Sequence, residues 1–199
     1  MLDVWGRLLA ALPAARLVML AVQPGACRDA IEHAFAAHGV AAERLTLLPA
    51  MPLHEYLDQY RQVDVALDTF PYNGGTTSCD TLWMGVPLIT LAGAHSIARG
   101  GVSVLSNLGL TEFIAATPEQ YIDIGVGLAQ RLDALRELRK SLRERMLGSP
   151  LMDAKRFAGH MENGYRTMWQ DWCAGRESMR VDKSFLRVVD RPDEFAGDL

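Results

Sequence analysis

Cysteine is scarce in this chain and poorly placed for pairing: Cys27, Cys79 and Cys173 are odd in number, far apart and outside any CxxC spacing. Neither a disulfide framework nor a zinc knuckle is indicated, and a reducing, cytoplasmic compartment is expected. No charge of one sign dominates. Twenty basic residues stand against 24 acidic ones for a net charge of -4, and no Lys/Arg run is interleaved with aromatics, which make up only 8% of the chain. A surface that tracks nucleic-acid phosphates is therefore not expected. No apolar run approaches the roughly 20 residues of a membrane span. The opening stretch LDVWGRLLAALPAARL has an acid before its apolar part and is broken by Gly6 and Pro13, unlike a signal peptide. A membrane partner is not expected.

Several site signatures are missing as well. There is no GxxxxGK[ST] and no GxGxxG after a strand, so a P-loop and an ordinary dinucleotide site are unsupported. Without a D-x-D triplet or two histidines at helical ligand spacing, a metal-clamped diphosphate is not expected. G-x-S-x-G is absent, and Ser78 and Ser103 have no evident histidine partner. His33, His38, His54, His95 and His160 are scattered and read as surface or hydrogen-bonded helix residues.

What the 199 residues do contain is a recurring alternation of short apolar runs with helix-period stretches, the pattern of βαβ units and a parallel sheet. Strands are expected at Arg16–Val22, Arg44–Pro49, Val63–Asp68, Pro87–Leu91 and, weakly, Phe113–Ala116. Together they make one Rossmann-like layer flanked by helices. The stretch ACRDAIEHAFAAHG places Cys27, Ile31, Phe35 and Ala36 on one helical face and stops at Gly39; PLHEYLDQY follows, with Leu53, Tyr56, Leu57 and Tyr60 at spacings of three and four. Thr117, Pro118 and Gln120 form a helix start of the capping-box kind. From there a stripe runs through Tyr121, Ile124, Leu128, Leu132, Leu135, Leu138, Leu142 and Met146, with room for a break, to the stop at Gly148–Pro150. Arg131, Arg136, Arg139, Lys140 and Arg143 lie off that stripe, as a solvated face would. A final helix over Asp153–Cys173 carries Phe157, Met161, Tyr165, Met168 and Trp172 on one face. Residues 1–173 are read as one lobe with its carboxyl-terminal helices, and 174–199 as a charged tail.

In open parallel sheets, ligands sit beyond the carboxyl ends of the strands. The stretch DVALDTFPYNGGTTSCDTLWMGVPLITL, from Asp64 to Leu91, is such an end. Gly74 and Gly75 supply positive φ or close backbone approach. Thr76 and Thr77 fall at the cap and first turn of a helix, where free N–H groups and the helix dipole favour a phosphate. Asp80, one turn further in, is placed to accept hydrogen bonds from ribose hydroxyls. Local chemistry fits an alternative equally well, in which Thr76 is an ordinary N-cap and the glycines make a turn.

Three segments in order, DVALDTFPYNGGTTSCDTLWMGVPLITLAG, HSIARGGVSVLSNLGL and SPLMDAKRFAGHMENGYRTMWQDW, resemble the carboxyl-terminal catalytic lobe of the protein O-linked N-acetylglucosamine transferase and SPINDLY-like glycosyltransferases. The similarity runs from about Leu2 to Cys173. It implies the second, donor-binding lobe of a GT-B enzyme that uses UDP-N-acetylglucosamine, without a metal or other cofactor, to modify protein Ser/Thr. By this resemblance Thr76, Thr77 and the Gly75 backbone hold the diphosphate, Asp80 holds the ribose, the Ala50–Met51 backbone reads the uracil edge, and Tyr56 stands where relatives place a His or aromatic ring near the base. Leu53 and Gln59 replace basic residues of some relatives, which implies fewer donor contacts from that helix. The family's donor-lobe Lys and Gln, and its whole first lobe with the proposed base and acceptor contacts, precede the matching segment, so no catalytic residue is assigned here. The expected partners are UDP or a UDP-sugar, a protein acceptor in the full-length family, and either the missing amino-terminal lobe or a second copy of the chain. Part of the face bearing Phe157, Met161, Tyr165, Trp169 and Trp172 is expected to be exposed or buried against such a second copy. GDP-fucose, used by some SPINDLY-like relatives, stays open as the donor, and a non-catalytic nucleotide-sugar-binding module and a purely structural Rossmann domain remain alternative readings.

Overall fold

Residues 1–176 are described by the structure, a computed structural model. The chain divides into two units, Met1–Met152 and a second beginning at Asp153. The charged tail expected from 174 onward lies, from residue 177, outside the described residues.

In the first unit all five expected strands are present and each is shorter than its apolar run: β1 Leu17–Met19, β2 Leu45–Leu47, β3 Ala66–Leu67, β4 Leu88–Leu91 and β5 Ile114–Ala115. Every pairing is parallel, as βαβ connections require. The single five-strand layer expected from the sequence is divided by hydrogen bonding into β1–β2 and β3–β4–β5. Two local causes are visible. Ala21, at φ 60°, ends the regular extension of the first strand. Upstream of β3, the Val63 and Asp64 carbonyls accept from the Arg139 guanidinium, which occupies groups a longer strand would use. Both sheets nonetheless feed one apolar core, in which Leu17, Leu45 and Leu47 join Leu88, Ile89 and Ala115.

The helices of this unit are α1 Leu2–Ala11, α2 Ala26–Ala36, α3 Leu53–Gln59, α4 Thr76–Trp83, α5 Gly100–Asn107, α6 Pro118–Ala129 and α7 Leu132–Leu147. Two of them escaped the sequence reading. α1 runs through Gly6, where the ring of His38 packs in the place a side chain would take, and Pro13 lies beyond the helix end. The orphan carbonyls at the end of α1 are taken by Arg44, which donates to Leu9 O, Leu12 O and Ala15 O, each at 2.8 Å. The face of α2 is narrower than expected: Ile31 and Phe35 are buried, while Cys27 and Ala36 are exposed. Thr117 caps α6 through the Gln120 N–H, with Pro118 in the first turn. The long stripe does break, at Gln130–Arg131, where Arg131 donates to Gly127 O at the end of α6. Its residues are buried or half-buried except Leu132.

Behind the strand ends lies a buried polar cluster. Asp68, 4% exposed, follows β3; its Oδ1 accepts the Gly74 N–H at 2.8 Å and its Oδ2 accepts the Thr90 hydroxyl at 2.7 Å. The Tyr121 hydroxyl donates to the Asp68 carbonyl and accepts from Trp5 Nε1. Burial pushes the Tyr121 hydroxyl well above the usual phenol range, so it stays a donor. Asn73, also buried, donates to Thr69 O at 2.8 Å and accepts the Gly101 N–H at 3.4 Å, which ties the loop to the start of α5.

The second unit contains α8, Ala154–Cys173, capped by the Asp153 carboxylate on the Arg156 N–H. Phe157, Met161, Tyr165, Met168, Trp169 and Trp172 on this helix are all exposed. No helix among the described residues is long and apolar enough to cross a membrane.

Two outcomes are expected. A methyl group at Gly101 would stand 2.3 Å from both Asp68 Oδ2 and Thr90 Oγ1, so Gly101→Ala should cost about 1–3 kcal/mol in urea melts, the usual range for overpacking a tight site. The second concerns pH. Burial raises Asp68 above its ordinary value of 3.8, against the opposing hydrogen bonds from Gly74 and Thr90. Between 3.8 and the raised value the folded chain holds a proton that the unfolded chain has released, so Asp68 makes stability fall as pH rises through that window. Asp68→Asn removes this contribution, and its stability relative to the parent should improve from pH 4 toward neutrality; parallel curves would contradict the assignment.

Candidate functional site

The site is built where β2 and β3 release the chain into α3 and α4. After β3 the loop DTFPYNGG is folded over Asp68 and delivers residue 76 as the first residue of α4. The two glycines do different work, and neither uses positive φ. A side chain at Gly74 would collide with Ser78 Oγ at 2.5 Å and Thr77 Oγ1 at 2.6 Å, so this position serves close approach. Gly75, at φ -109° and ψ -88°, is the N-cap and has open space before its Cα.

This geometry separates two roles that the sequence left merged. The residue preceding the helix is Gly75, Thr76 and Thr77 are its first two helical residues, and no side chain caps α4. All three are exposed. The first N–H groups of a helix have no intrahelical acceptor, and here no hydroxyl or carboxylate of the chain takes the cap position. An anion placed there meets oriented amides, the positive end of the helix dipole and two hydroxyls.

Asp80 lies one turn further along, half-buried, and it adjoins Tyr56 of α3. The Tyr56 hydroxyl is raised far above the usual phenol range, first by burial, then by Tyr60 and by the Asp80 carboxylate. It is therefore a neutral donor at any physiological pH. Burial, with Asp80 adding its charge, likewise raises the Cys79 thiol, which makes this cysteine a packing residue rather than a nucleophile. Ala50 is exposed and Met51 half-buried in the short link between β2 and Pro52, the residue that precedes α3. The structure thus brings Tyr56 and Asp80 together across α3 and α4, sets Gly75, Thr76 and Thr77 one turn away, and leaves Ala50 and Met51 on the preceding link.

Several contributing residues were not read as such from the sequence. Tyr60 and Thr81, both buried, hydrogen-bond at 3.0 Å and tie α3 to α4. The two helices are also held from behind by α7. Arg139 donates to the carbonyls of Tyr60, Val63 and Asp64. Arg143 donates to Trp83 O at 3.0 Å and sets its guanidinium 5.1 Å from the centre of the Trp83 ring. Arg139, half-buried, corrects the solvated-face reading of α7, whereas Arg143 is exposed as that reading has it and adds a contact the sequence did not show. Arg136 and Lys140 also follow that reading, in exposed pairs with Asp133 and Glu137. Their i,i+3 acidic partners are legible in the sequence, whereas the carbonyl partners of Arg139 and Arg143, some 60 to 79 residues away, are not.

Comparison with known proteins adds the family. The profile described as Glycosyl transferase family 41 matches residues 1–161. A barley (Hordeum vulgare) protein, "Probable UDP-N-acetylglucosamine--peptide N-acetylglucosaminyltransferase SPINDLY", is 41% identical over 179 residues, covering 87% of this chain and 19% of the relative. The Arabidopsis thaliana protein of the same description is 40% identical with the same coverage, and the Arabidopsis SEC protein is 32% identical over 164 residues, covering 82% of this chain and 16% of the relative. A mutant O-GlcNAc transferase from Thermobaculum terrenum superposes with a TM-score of 0.82 at 43% identity, over 87% of this chain and 34% of that one. The chain therefore spans about a fifth of the length of the SPINDLY relatives it matches. With an α/β architecture of parallel strands flanked by helices and a family profile over most of its length, the chain belongs to glycosyl transferase family 41.

Proposed function

We propose that this lobe binds the nucleotide half of a UDP-sugar, UDP-N-acetylglucosamine being the donor named for its relatives, and that within a longer enzyme it supports transfer of the sugar to protein Ser/Thr. The observation that carries this reading is the uncapped first turn of α4, where exposed Thr76 and Thr77 follow an open Gly75. As the glycosidic bond breaks, negative charge accumulates on the leaving diphosphate. Amides and hydroxyls already aimed at that position stabilise the transition state more than the ground state, in the place a metal would otherwise take. Asp80 accepts the ribose hydroxyls. The Ala50–Met51 backbone meets the uracil edge, with the Tyr56 ring beside the base.

A second reading, a nucleotide-sugar-binding module without turnover, shares this geometry. It differs only in whether a lobe bearing acceptor contacts and a base works with this one. The GDP-fucose alternative differs in both base and sugar, and binding of the nucleotide half separates it through the base.

Calorimetry on the 199-residue chain should show UDP binding in preference to GDP, AMP and NAD; equal or undetectable heats for UDP with folded protein would reject the donor-lobe reading. Replacing Thr76 and Thr77 together by Ala removes donors to a charged group, each worth about 1.5–3 kcal/mol, and UDP affinity should fall at least tenfold. Because neither hydroxyl caps α4, the melting temperature should change little, and a large loss of stability with affinity intact would restore the capping explanation. The 199-residue chain alone should transfer no sugar to a peptide acceptor in a radiolabel assay, since it holds only the donor side and positioning of both reactants is worth several kcal/mol. Robust transfer would show that acceptor and base contacts lie within it.

A further inference from the structure

α3 is weakly held by its own packing. It has seven residues, too few for a helix to be stable alone, with no side-chain cap at Pro52 and no buried side chain within its length. The chain on either side is pinned, at Leu48 by bonds to Met19 O and the Val22 N–H, and at Ala66 by its N–H on Pro87 O. Among the described residues, the hydrogen bonds that reach the stretch between from elsewhere in the fold all arrive after α3 has ended. Thr81 Oγ1 meets the hydroxyl of buried Tyr60, and the Arg139 guanidinium donates to the carbonyls of Tyr60, Val63 and Asp64. Arg139 is also where α7 meets the end of α4. Gly85, at φ 79°, follows α4 and donates to Leu82 O, and a side chain there would stand 3.1 Å from the Arg139 carbonyl. One turn on, Arg143 donates to Trp83 O at 3.0 Å. Arg139 therefore has its main chain against the end of α4 and its guanidinium on the chain leaving α3.

We infer that Arg139 is a positioning residue of the nucleotide site, one that sets the distance between the segment meeting the base and the helix start meeting the diphosphate. The inference rests on the donor-binding reading and adds to it the part of the fold that makes the two subsites act together. In a nucleoside diphosphate the base and the phosphates are joined through one ribose, so once one end is bound the other is offered to its receptor at an effective concentration set by the spacing. That gain is realised in full only if the receptor already stands there, because ordering it on binding subtracts from the affinity. The first turn of α4 stands ready without α7: the loop before it is fixed by the Gly74 N–H on Asp68, the Asn73 N–H on Ile97 O and the Gly101 N–H on Asn73. Residues 50–59 have no comparable support and depend on the fastening that follows them. Loss of the guanidinium leaves the anion site in place and loosens the base site relative to it.

The test uses the full chain, with UDP, GDP and inorganic pyrophosphate as probes. Arg139→Lys keeps the charge and the stem and gives up the guanidinium; Arg139→Met gives up the charge as well. In calorimetry both should weaken UDP about tenfold or more, since a second contact linked through one ligand multiplies affinity by at least that much when its geometry fits. Pyrophosphate affinity should stay at the parent value, and the preference for UDP over GDP should shrink. Equal losses for UDP and pyrophosphate would mean that Arg139 only supports the fold, and would overturn the proposal, as would no change for either. Hydrogen exchange without nucleotide reads the same residue independently. Arg139→Lys should speed exchange at the amides of residues 53–62 and leave those of residues 80–83 as protected as in the parent; a uniform rise across both would overturn the role. If Arg139→Met does not fold, the Lys variant decides alone. Faster exchange confined to 53–62 together with no UDP binding by the parent would overturn the donor reading and the nucleotide role of Arg139 with it, whereas UDP binding by the parent that keeps its strength and selectivity in the variants overturns the role of Arg139 alone.

Discussion

The carboxylate of Asp68 is the constraint on which the rest of the site depends. It stands just past the end of β3, its own N–H still bonded to Ile89 O of β4, inside the protein, where burial alone would make its charge unfavourable. Its charge is tolerated because the chain folds back over it and brings the Gly74 N–H and the Thr90 hydroxyl to its two oxygens. That requirement shapes everything downstream. The loop must return to residue 74, Gly74 must be bare, and α4 must therefore begin immediately beyond, with its first turn directed away from the core. The same carboxylate fixes α5, since only a glycine at 101 lets that helix approach Asp68 and Thr90.

The donor-binding reading then follows from what α4 is denied. Among the described residues, the two helices with a hydroxyl or acid at the cap position use it, α6 with Thr117 and α8 with Asp153, while α1, α2, α3, α5 and α7, like α4, have no side-chain cap. At α4 the cap is a glycine, and the threonines that would ordinarily have served are shifted inward by one and two places. A helix start left unsatisfied by its own chain yet framed by hydroxyls is poorly explained as a stability element. On the reading proposed above, it receives an external anion.

The strands, the α6 cap and the placement of Thr76, Thr77 and Asp80 were legible because each rests on local chemistry: a run of apolar residues, a Thr-Pro-x-Gln start, a loop rich in glycine before hydroxyls. What escaped depends on distant partners. Gly6 read only as a break in the apolar opening stretch, with no sign of the His38 ring that stands against it, and Gly74 read as a residue for positive φ or ligand approach, whereas its close neighbours are the side chains of Thr77 and Ser78. Asp68 was visible as an acid ending an apolar run, but nothing in the local sequence says that Thr90, 22 residues on, would share its charge. Arg139 and Arg143 sit on a helix face whose periodicity correctly marks them as outside the core; periodicity is silent about carbonyls brought there by another part of the chain.

The grip of α7 on the site has an implication for how this lobe tolerates change. Arg139 and Arg143 hold α3 and α4 by main-chain oxygens at residues 60, 63, 64 and 83, so the attachment is indifferent to which side chains those positions carry. On the reading proposed above, residues 50–59 can therefore change while this fastening stays in place, provided the Arg139 guanidinium remains, because its planar fork spreads donors over separate carbonyls whereas a lysine ammonium gathers its three at one point.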